Sequence, residues 1–147
     1  MTPIGVNEME KVARHAYTAR ANQIQIGFEC DEDLTGFFDA GVATIVLDTA
    51  IYNAVKEGAR TILLTAEEQG RELLIQIHDD GPGFPPAMLD TDIVQGHLKP
   101  ETQSTGLGLY FARRLLAQQQ EGERCGGLSL GASERLGGAC VTLHLPQ

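Results

Sequence analysis

The sequence predicts an α/β (α+β) two-layer sandwich, a mixed and mostly antiparallel sheet with about three helices on one face. Three observations predict it. Residues 39–58 hold the longest helical pattern, with Ala43, Leu47, Ala50 and Ala54 on one side. Thr61–Ala66 and Leu73–Asp79 read as strands joined through Glu67-Glu68-Gln69-Gly70. The chain ends on a second hairpin, Gly127–Ala132 with Ala139–Leu145, around Ser133–Gly138. Helices interleaved with strands in this way cover one face of a common sheet.

The elements follow in order. Residues 1–6 read as a linker, and residues 1–147 as a single domain. Asn7 with Glu10 forms a capping box, opening a helix whose apolar stripe is Met9, Val12, Ala13 and Ala16. A short strand at Ile24–Phe28 precedes the long helix, which Gly58 is placed to stop. From Asp80 to Thr105 the chain is loop-rich, and a loop of that length in a compact domain usually carries function. Helix returns over Gly106–Gln120. In the last strand Val141, Leu143 and Leu145 alternate with Cys140, Thr142 and His144, as one buried face requires.

Composition narrows the function. With 42% hydrophobic and 21% charged residues the chain is globular, and 147 residues suffice for one core. A net charge of −9 argues against binding nucleic acid or an anionic membrane. Any phosphate site must therefore be built locally. Cys30, Cys125 and Cys140 are scattered, which suggests neither a zinc site nor a disulfide framework. No apolar run approaches spanning length and Met1–Gly5 lacks the features of a signal peptide, so a cytoplasmic location is expected.

Three motifs carry chemistry. Asp79-Asp80-Gly81-Pro82-Gly83-Phe84 puts a carboxylate at a strand end, where it can accept from a purine amino group. Its glycines let backbone approach a flat ligand. Ser104-Thr105-Gly106-Leu107-Gly108-Leu109 opens a helix, and free N–H groups there suit phosphate. Within the long helix, Thr49, Asn53 and Lys56 share one side. The Asn53 carbonyl oxygen suits magnesium beside phosphates, and Lys56 adds positive charge. Taken singly, the first motif reads better as an acidic turn and the third as a solvated helix face, while the second reads equally well as a capped helix start.

Together and in this order, the motifs resemble those of the GHKL ATPase superfamily, and specifically the catalytic ATP-binding domain of sensor histidine kinases. Asn53-Ala54-x-Lys56 is similar to the N box, Asp79-x-Gly81-x-Gly83 to the first glycine box and Gly106-Leu107-Gly108-Leu109 to the second. The ending Gly137-Gly138-Ala139 to Leu143-His144-Leu145-Pro146 resembles the closing hairpin of those kinases. The resemblance implies a Bergerat-type fold, with ATP and Mg²⁺ as cofactors. It implies that Asp79 accepts from the adenine amino group and that Gly81 and Gly83 shape the pocket. Asn53 would ligate Mg²⁺, Lys56 and Thr49 would complete the catalytic set, and Thr105, Gly106, Leu107, Gly108 and Leu109 would cradle phosphates. The implied reaction is transfer of the γ-phosphoryl to a histidine on a separate dimerisation or phosphotransfer domain, with a response regulator downstream.

The chain departs from that pattern at several positions. Thr49 stands where related kinases often have asparagine and the gyrase and chaperone branch has a glutamate base. Glu57 replaces an aromatic or histidine, no phenylalanine box is evident between Phe84 and Gly106, and the lid is short. Slow hydrolysis by this domain alone is expected. His97 and Lys99 lie in the lid. His15 lacks the acidic neighbour and helical hairpin of a phosphoacceptor, and His78 and His144 read as structural. No dimerisation or acceptor domain is legible, which makes a monomer the expectation. Two alternatives remain at this level: a degenerate, nucleotide-responsive regulatory module, and an anti-sigma-type serine kinase.

Overall fold

Strict alternation along three strands sets the architecture of the computed structural model, which describes residues 3–5, 24–30, 34–84, 111–118, 120–121 and 124–147. The described strands are β1 (Pro3–Gly5), β2 (Gln25–Glu29), β3 (Thr35–Phe37), β4 (Thr61–Gln69), β5 (Glu72–Asp79), β6 (Gln120–Glu121), β7 (Arg124–Cys125), β8 (Gly127–Ala132) and β9 (Ala139–Pro146). Helix α1 spans Ala40–Lys56, and residues 111–116 are helical, here α2. Five strands form the main sheet in the order β2-β4-β5-β9-β8. β2 runs parallel to β4, and the other neighbours are antiparallel. The sequence-based expectation of a mixed, mostly antiparallel sheet under helices holds.

The register sorts side chains onto two faces. Leu64 lies opposite Ile77 and Ile75 opposite Leu143, all fully buried beneath α1. On the other face Thr65 lies opposite Gln76, and Gln76 opposite Thr142. Helix α1 contributes Ala43, Val46, Leu47, Ala50, Ile51 and Ala54 to the core, and α2 adds Ala112 and Leu116. Each large aliphatic side chain so buried stabilises by roughly 1.5–3 kcal/mol. The alanines of α1 hold its backbone close to the sheet.

Local signals bound α1. The Asp39 carboxylate accepts from the Val42 amide at 3.1 Å as N-cap. Glu57 is the C-cap, and Gly58, at φ 102°, turns the chain out of the helix.

The sequence reading needs correction in three places. Residues 3–5 are not linker: they pair with Thr35–Phe37, and β3 crosses so near the sheet that a Cβ on Gly36 would lie 2.7 Å from Leu73 Cδ2. The helix expected to reach Gln120 ends by residue 116, since Leu116 is the last apolar residue to reach the core and Gln120 already pairs with Cys125. The β4–β5 connection is tighter than expected, because Gln69 pairs with Glu72 and only Gly70 and Arg71 turn. Gly70, at φ 59°, supplies the left-handed residue that such hairpins need. The capping box at Asn7 and Glu10 and the lid fall outside the described residues. Among the described residues no helix is long and apolar enough to cross a membrane.

Candidate functional site

One end of the sheet holds the Asp79 motif beside the end of the long helix. β5 finishes there at Asp79, β4 starts there at Thr61 and β9 at Ala139, and α1 ends there at Lys56. Asp79 points to the helix-covered face and is 7% exposed. Its Oδ1 accepts from the Gly81 amide at 2.9 Å and the Ala139 amide at 3.0 Å, and its carbonyl accepts from Gly138 N at 3.0 Å. Backbone donors cannot rotate away, so this carboxylate is fixed with Oδ1 committed.

The cradle depends on a glycine. A Cβ on Gly138 would strike Asp79 Oδ1, lie 2.5 Å from the Asp79 carbonyl oxygen and 2.7 Å from Gly81 N. Gly83, at φ 83°, curls the loop back so that its own Cβ would lie 3.8 Å from Gly138. The loop after β5 and the turn before β9 are thus locked together around Asp79.

Helix α1 joins from the other side. Ala59 N bonds to the Ala54 carbonyl at 3.0 Å, and a Cβ on Gly81 would lie 3.6 Å from both Ala59 Cβ and Ala59 N. Through this seam the Asp79 loop abuts the last turn of the helix that carries Asn53. Asn53 is buried, and its Nδ2 is without a hydrogen-bond partner among the described residues. An unmatched buried amide costs about 1–3 kcal/mol unless something completes it. Thr49 donates its hydroxyl to the Ile45 carbonyl at 2.8 Å, and Lys56 is exposed in the last turn.

Two further carboxylates flank the site without joining it. Asp80 accepts from the Arg60 and Thr61 amides at 2.8 and 3.0 Å, and these bonds hold its carboxyl below the usual carboxylate range. It fastens the start of β4. Burial pushes the Asp48 carboxyl up. Asp48 lies five residues before Asn53, roughly 140° around the helix.

Of the residues singled out from sequence, Asp79 and Gly81 meet at this seam, Gly83 lies against the β8–β9 turn, and Asn53 lies buried on α1 next to Ala54, whose carbonyl receives the Ala59 amide, with Thr49 and Lys56 on the same helix. Thr105, Gly106, Leu107, Gly108 and Leu109 lie outside the described residues, as do His15, His97 and Lys99. Sequence reasoning missed Gly138, Ala139 and Ala59 as parts of the seam. The available signal was a Gly-Gly pair at the start of a strand, which marks backbone approaching something closely.

The residues present fit a magnesium–nucleotide site better than a protein-only metal cage. Among the described residues no group of three or more His, Cys, Asp or Glu could hold an ion. Mg²⁺ is commonly held by one or two protein oxygens plus substrate phosphates and water, and the buried Asn53 amide, half unmatched, suits completion by such oxygen-rich groups.

Comparison with known proteins shows the family. The profile of the family described as histidine kinase-, DNA gyrase B-, and HSP90-like ATPase matches residues 39–147. The signal transduction histidine-protein kinase AfsQ2 of Streptomyces coelicolor is 26% identical over 133 residues, covering 88% of this chain and 24% of AfsQ2. The sensor protein KdpD of Escherichia coli is 32% identical over 107 residues, covering 69% of this chain and 11% of KdpD. The chain thus spans about a quarter or less of the length of these curated relatives. The catalytic domain of histidine kinase ThkA superposes with a TM-score of 0.80 at 23% identity, covering 99% of this chain and 94% of that one. The ATP binding domain of PrrB from Mycobacterium tuberculosis gives 0.78 at 24% identity, covering 99% and 96%. ThkA in complex with the response regulator protein TrrA gives 0.74 at 22% identity, covering 99% and 41%.

Proposed function

The chain belongs to the histidine kinase-, DNA gyrase B-, and HSP90-like ATPase family, and from that premise we propose that it is the ATP–Mg²⁺-binding catalytic domain of a two-component sensor histidine kinase. It donates the γ-phosphoryl group of ATP to a histidine on a separate dimerisation or phosphotransfer domain, which in turn supplies a response regulator. It works as a single cytoplasmic domain, monomeric when isolated. The observation that carries this reading is the Asp79 cradle, a buried carboxylate whose Oδ1 is held by two amides.

The roles follow from that geometry. With Oδ1 committed, Asp79 offers Oδ2 to the amino group of adenine, and Gly81 and Gly83 keep the wall free of side chains. Asn53 turns its oxygen to the ion and its Nδ2 to phosphate oxygen or water. Mg²⁺, when bound with the nucleotide, supplies charge neutralisation between phosphate oxygens. By the family resemblance, Lys56 would add a positive charge to the phosphates, and Gly106 and Gly108, with Thr105, Leu107 and Leu109, which lie outside the described residues, would offer backbone amides to them. The Thr49 hydroxyl, tied to the Ile45 carbonyl, is no base for water. That favours phosphoryl transfer over hydrolysis and keeps the ATP intact until an acceptor arrives.

The test combines γ-labelled ATP, this chain and a cognate dimerisation domain. Acid-labile label on the partner is the expected result. Acid-stable label would instead make the chain a serine kinase, and a bound nucleotide without transfer would make it a regulatory module. Within the site, Asp79→Asn leaves an amide whose oxygen must face the Gly81 and Ala139 donors, so its NH₂ meets the adenine amino group, donor to donor. ATP affinity should fall by about 30-fold or more, on the order of 2 kcal/mol. Unchanged calorimetric binding would refute the base-reading role.

A further inference from the structure

The turn between β8 and β9 is built around one side chain. Ser133 is 4% exposed although it lies in a surface connection. Its hydroxyl accepts from the Leu136 amide at 3.0 Å and shares a 2.8 Å bond with Nδ1 of His78. Its amide donates to the Gly138 carbonyl at 2.7 Å, and its carbonyl accepts from Gly137 N at 2.9 Å. Residues 133–138 therefore close on themselves and are anchored to β5 through His78. The same segment then delivers Gly138 N to the Asp79 carbonyl and Ala139 N to Asp79 Oδ1.

His78 and Asp79 are successive residues on opposite faces of β5, and both are gripped by this one turn. We propose that Ser133 is a positioning residue for base recognition: its hydroxyl, seated on His78, sets where the Ala139 amide meets Asp79, and so where Asp79 Oδ2 points. The inference rests on the reading of Asp79 as the adenine acceptor. It assigns nothing to the phosphate half of the site.

Removing the hydroxyl leaves two buried groups, the Leu136 amide and the His78 ring nitrogen, without their partner, and unmatched buried groups drive local rearrangement. The segment that must rearrange ends in the two amides that hold Asp79. A carboxylate held at Oδ1 by Gly81 N on one side swings its other oxygen off the purine amine when the Ala139 donor on the other side shifts. A merely structural serine would weaken every nucleotide alike. A positioning serine weakens only those that present a 6-amino group.

The experiment uses the full chain and two probes, ATP and purine riboside triphosphate, which keeps the triphosphate and lacks the 6-amino group. Ser133→Ala is expected to weaken ATP binding about tenfold while changing purine riboside triphosphate by less than about twofold. Ser133→Thr, which restores a hydroxyl, should bring ATP binding back to within about threefold. Equal losses for both nucleotides, or no loss for either, would overturn the proposal. Should Ser133→Ala not fold, His78→Phe removes the same bond from the other side and is read by the same criterion. Asp79→Asn separates the two levels. If it abolishes the preference for ATP and Ser133→Ala does not diminish it, the positioning role alone fails. If Asp79→Asn leaves the preference intact, base reading by Asp79 fails and this proposal fails with it.

Discussion

The two faces of the sheet handle polarity in opposite ways, although the same strands build both. On the open face, side chains satisfy one another. Gln76 donates to Thr142 Oγ1 at 3.3 Å, Ser129 and His144 share a 2.8 Å bond, and Arg135 reaches Glu29 at 2.7 Å. Gln76, Arg135 and Glu29 line a shallow cavity of about 480 Å³ with Thr65, His78 and Cys140, and the Arg135–Glu29 pair is half exposed and worth little. On the covered face, polar groups are few and are held by backbone. Asp79 is fixed by amides that cannot turn away, and Asn53 keeps a donor unmatched among the described residues. Self-satisfied polarity makes a surface. Rigidly held, incompletely matched polarity makes a binding site.

That contrast can be broken in stability first. Leu143 is fully buried and Thr142, the next residue, faces the open side. Leu143→Ala should cost about 3 kcal/mol in urea unfolding, within the range for large-to-small core changes. Thr142→Ala removes two long side-chain bonds, to Gln76 and to Cys140, and should cost about 1 kcal/mol or less. Comparable losses would mean that the open face is as tightly packed as the core.

The β8–β9 hairpin offers a sharper pair. A methyl on Gly138 meets backbone atoms of Asp79 and Gly81, which cannot give, whereas Gly131 has nothing within 4 Å of an added Cβ. Gly138→Ala should destabilise by about 2 kcal/mol and remove most ATP affinity. Gly131→Ala should leave both unchanged. Calorimetry and thermal unfolding on the two variants decide it, and equal behaviour would dissolve the cradle argument.

Much of this was legible in the sequence because it depends on local pattern. The buried face of α1 was readable as Ala43, Leu47, Ala50 and Ala54, and β8 was read with its bounds because flanking glycines and alternation mark it. Asp79 was recognisable as a strand-end carboxylate before two glycines. What was not legible depends on contacts between distant segments. That Gly138 and Ala139 embrace Asp79 is a matter of register across 60 residues. Ser133, in a surface turn between two short-loop signals, gave no hint that it sits on His78. The β1–β3 ribbon escaped because three-residue strands are too short to show a period.

A smaller effect of unusual sign comes from Asn53. Its Nδ2 is buried without a partner among the described residues, so Asn53→Ala removes a group that costs free energy in the nucleotide-free protein. Unfolding in the absence of nucleotide should therefore be unchanged or stabilised by up to about 1 kcal/mol. Binding of ATP should weaken when magnesium is present and much less in excess chelator. A destabilised apo protein, or equal losses with and without the metal, would count against Asn53 as the point where the covered face is left open for the ion.

The smallest effect belongs to the open face and is read through pH. Burial, aided by the nearby Arg135 charge, holds His78 below its ordinary range, while Asp79 and Glu29 pull the other way. The folded chain therefore keeps this imidazole neutral where the unfolded chain takes up a proton. Stability is then lost as pH falls below about 6.5, the ordinary histidine value, until the folded ring also protonates. The slope from this one group is at most about 1.4 kcal/mol per pH unit. Asp80, whose carboxyl is held low, contributes in a separate window: its stabilisation is present above about pH 4 and lost only below it. Urea unfolding at several values between pH 5 and 7.5 should show the decline in the native chain. Arg135→Gln should leave the onset in place and reduce the total loss, because without the cation the folded chain protonates His78 at a higher pH and the window closes sooner, and His78→Gln should flatten it. An unchanged slope in His78→Gln would assign the decline to other groups and leave the open face electrostatically inert.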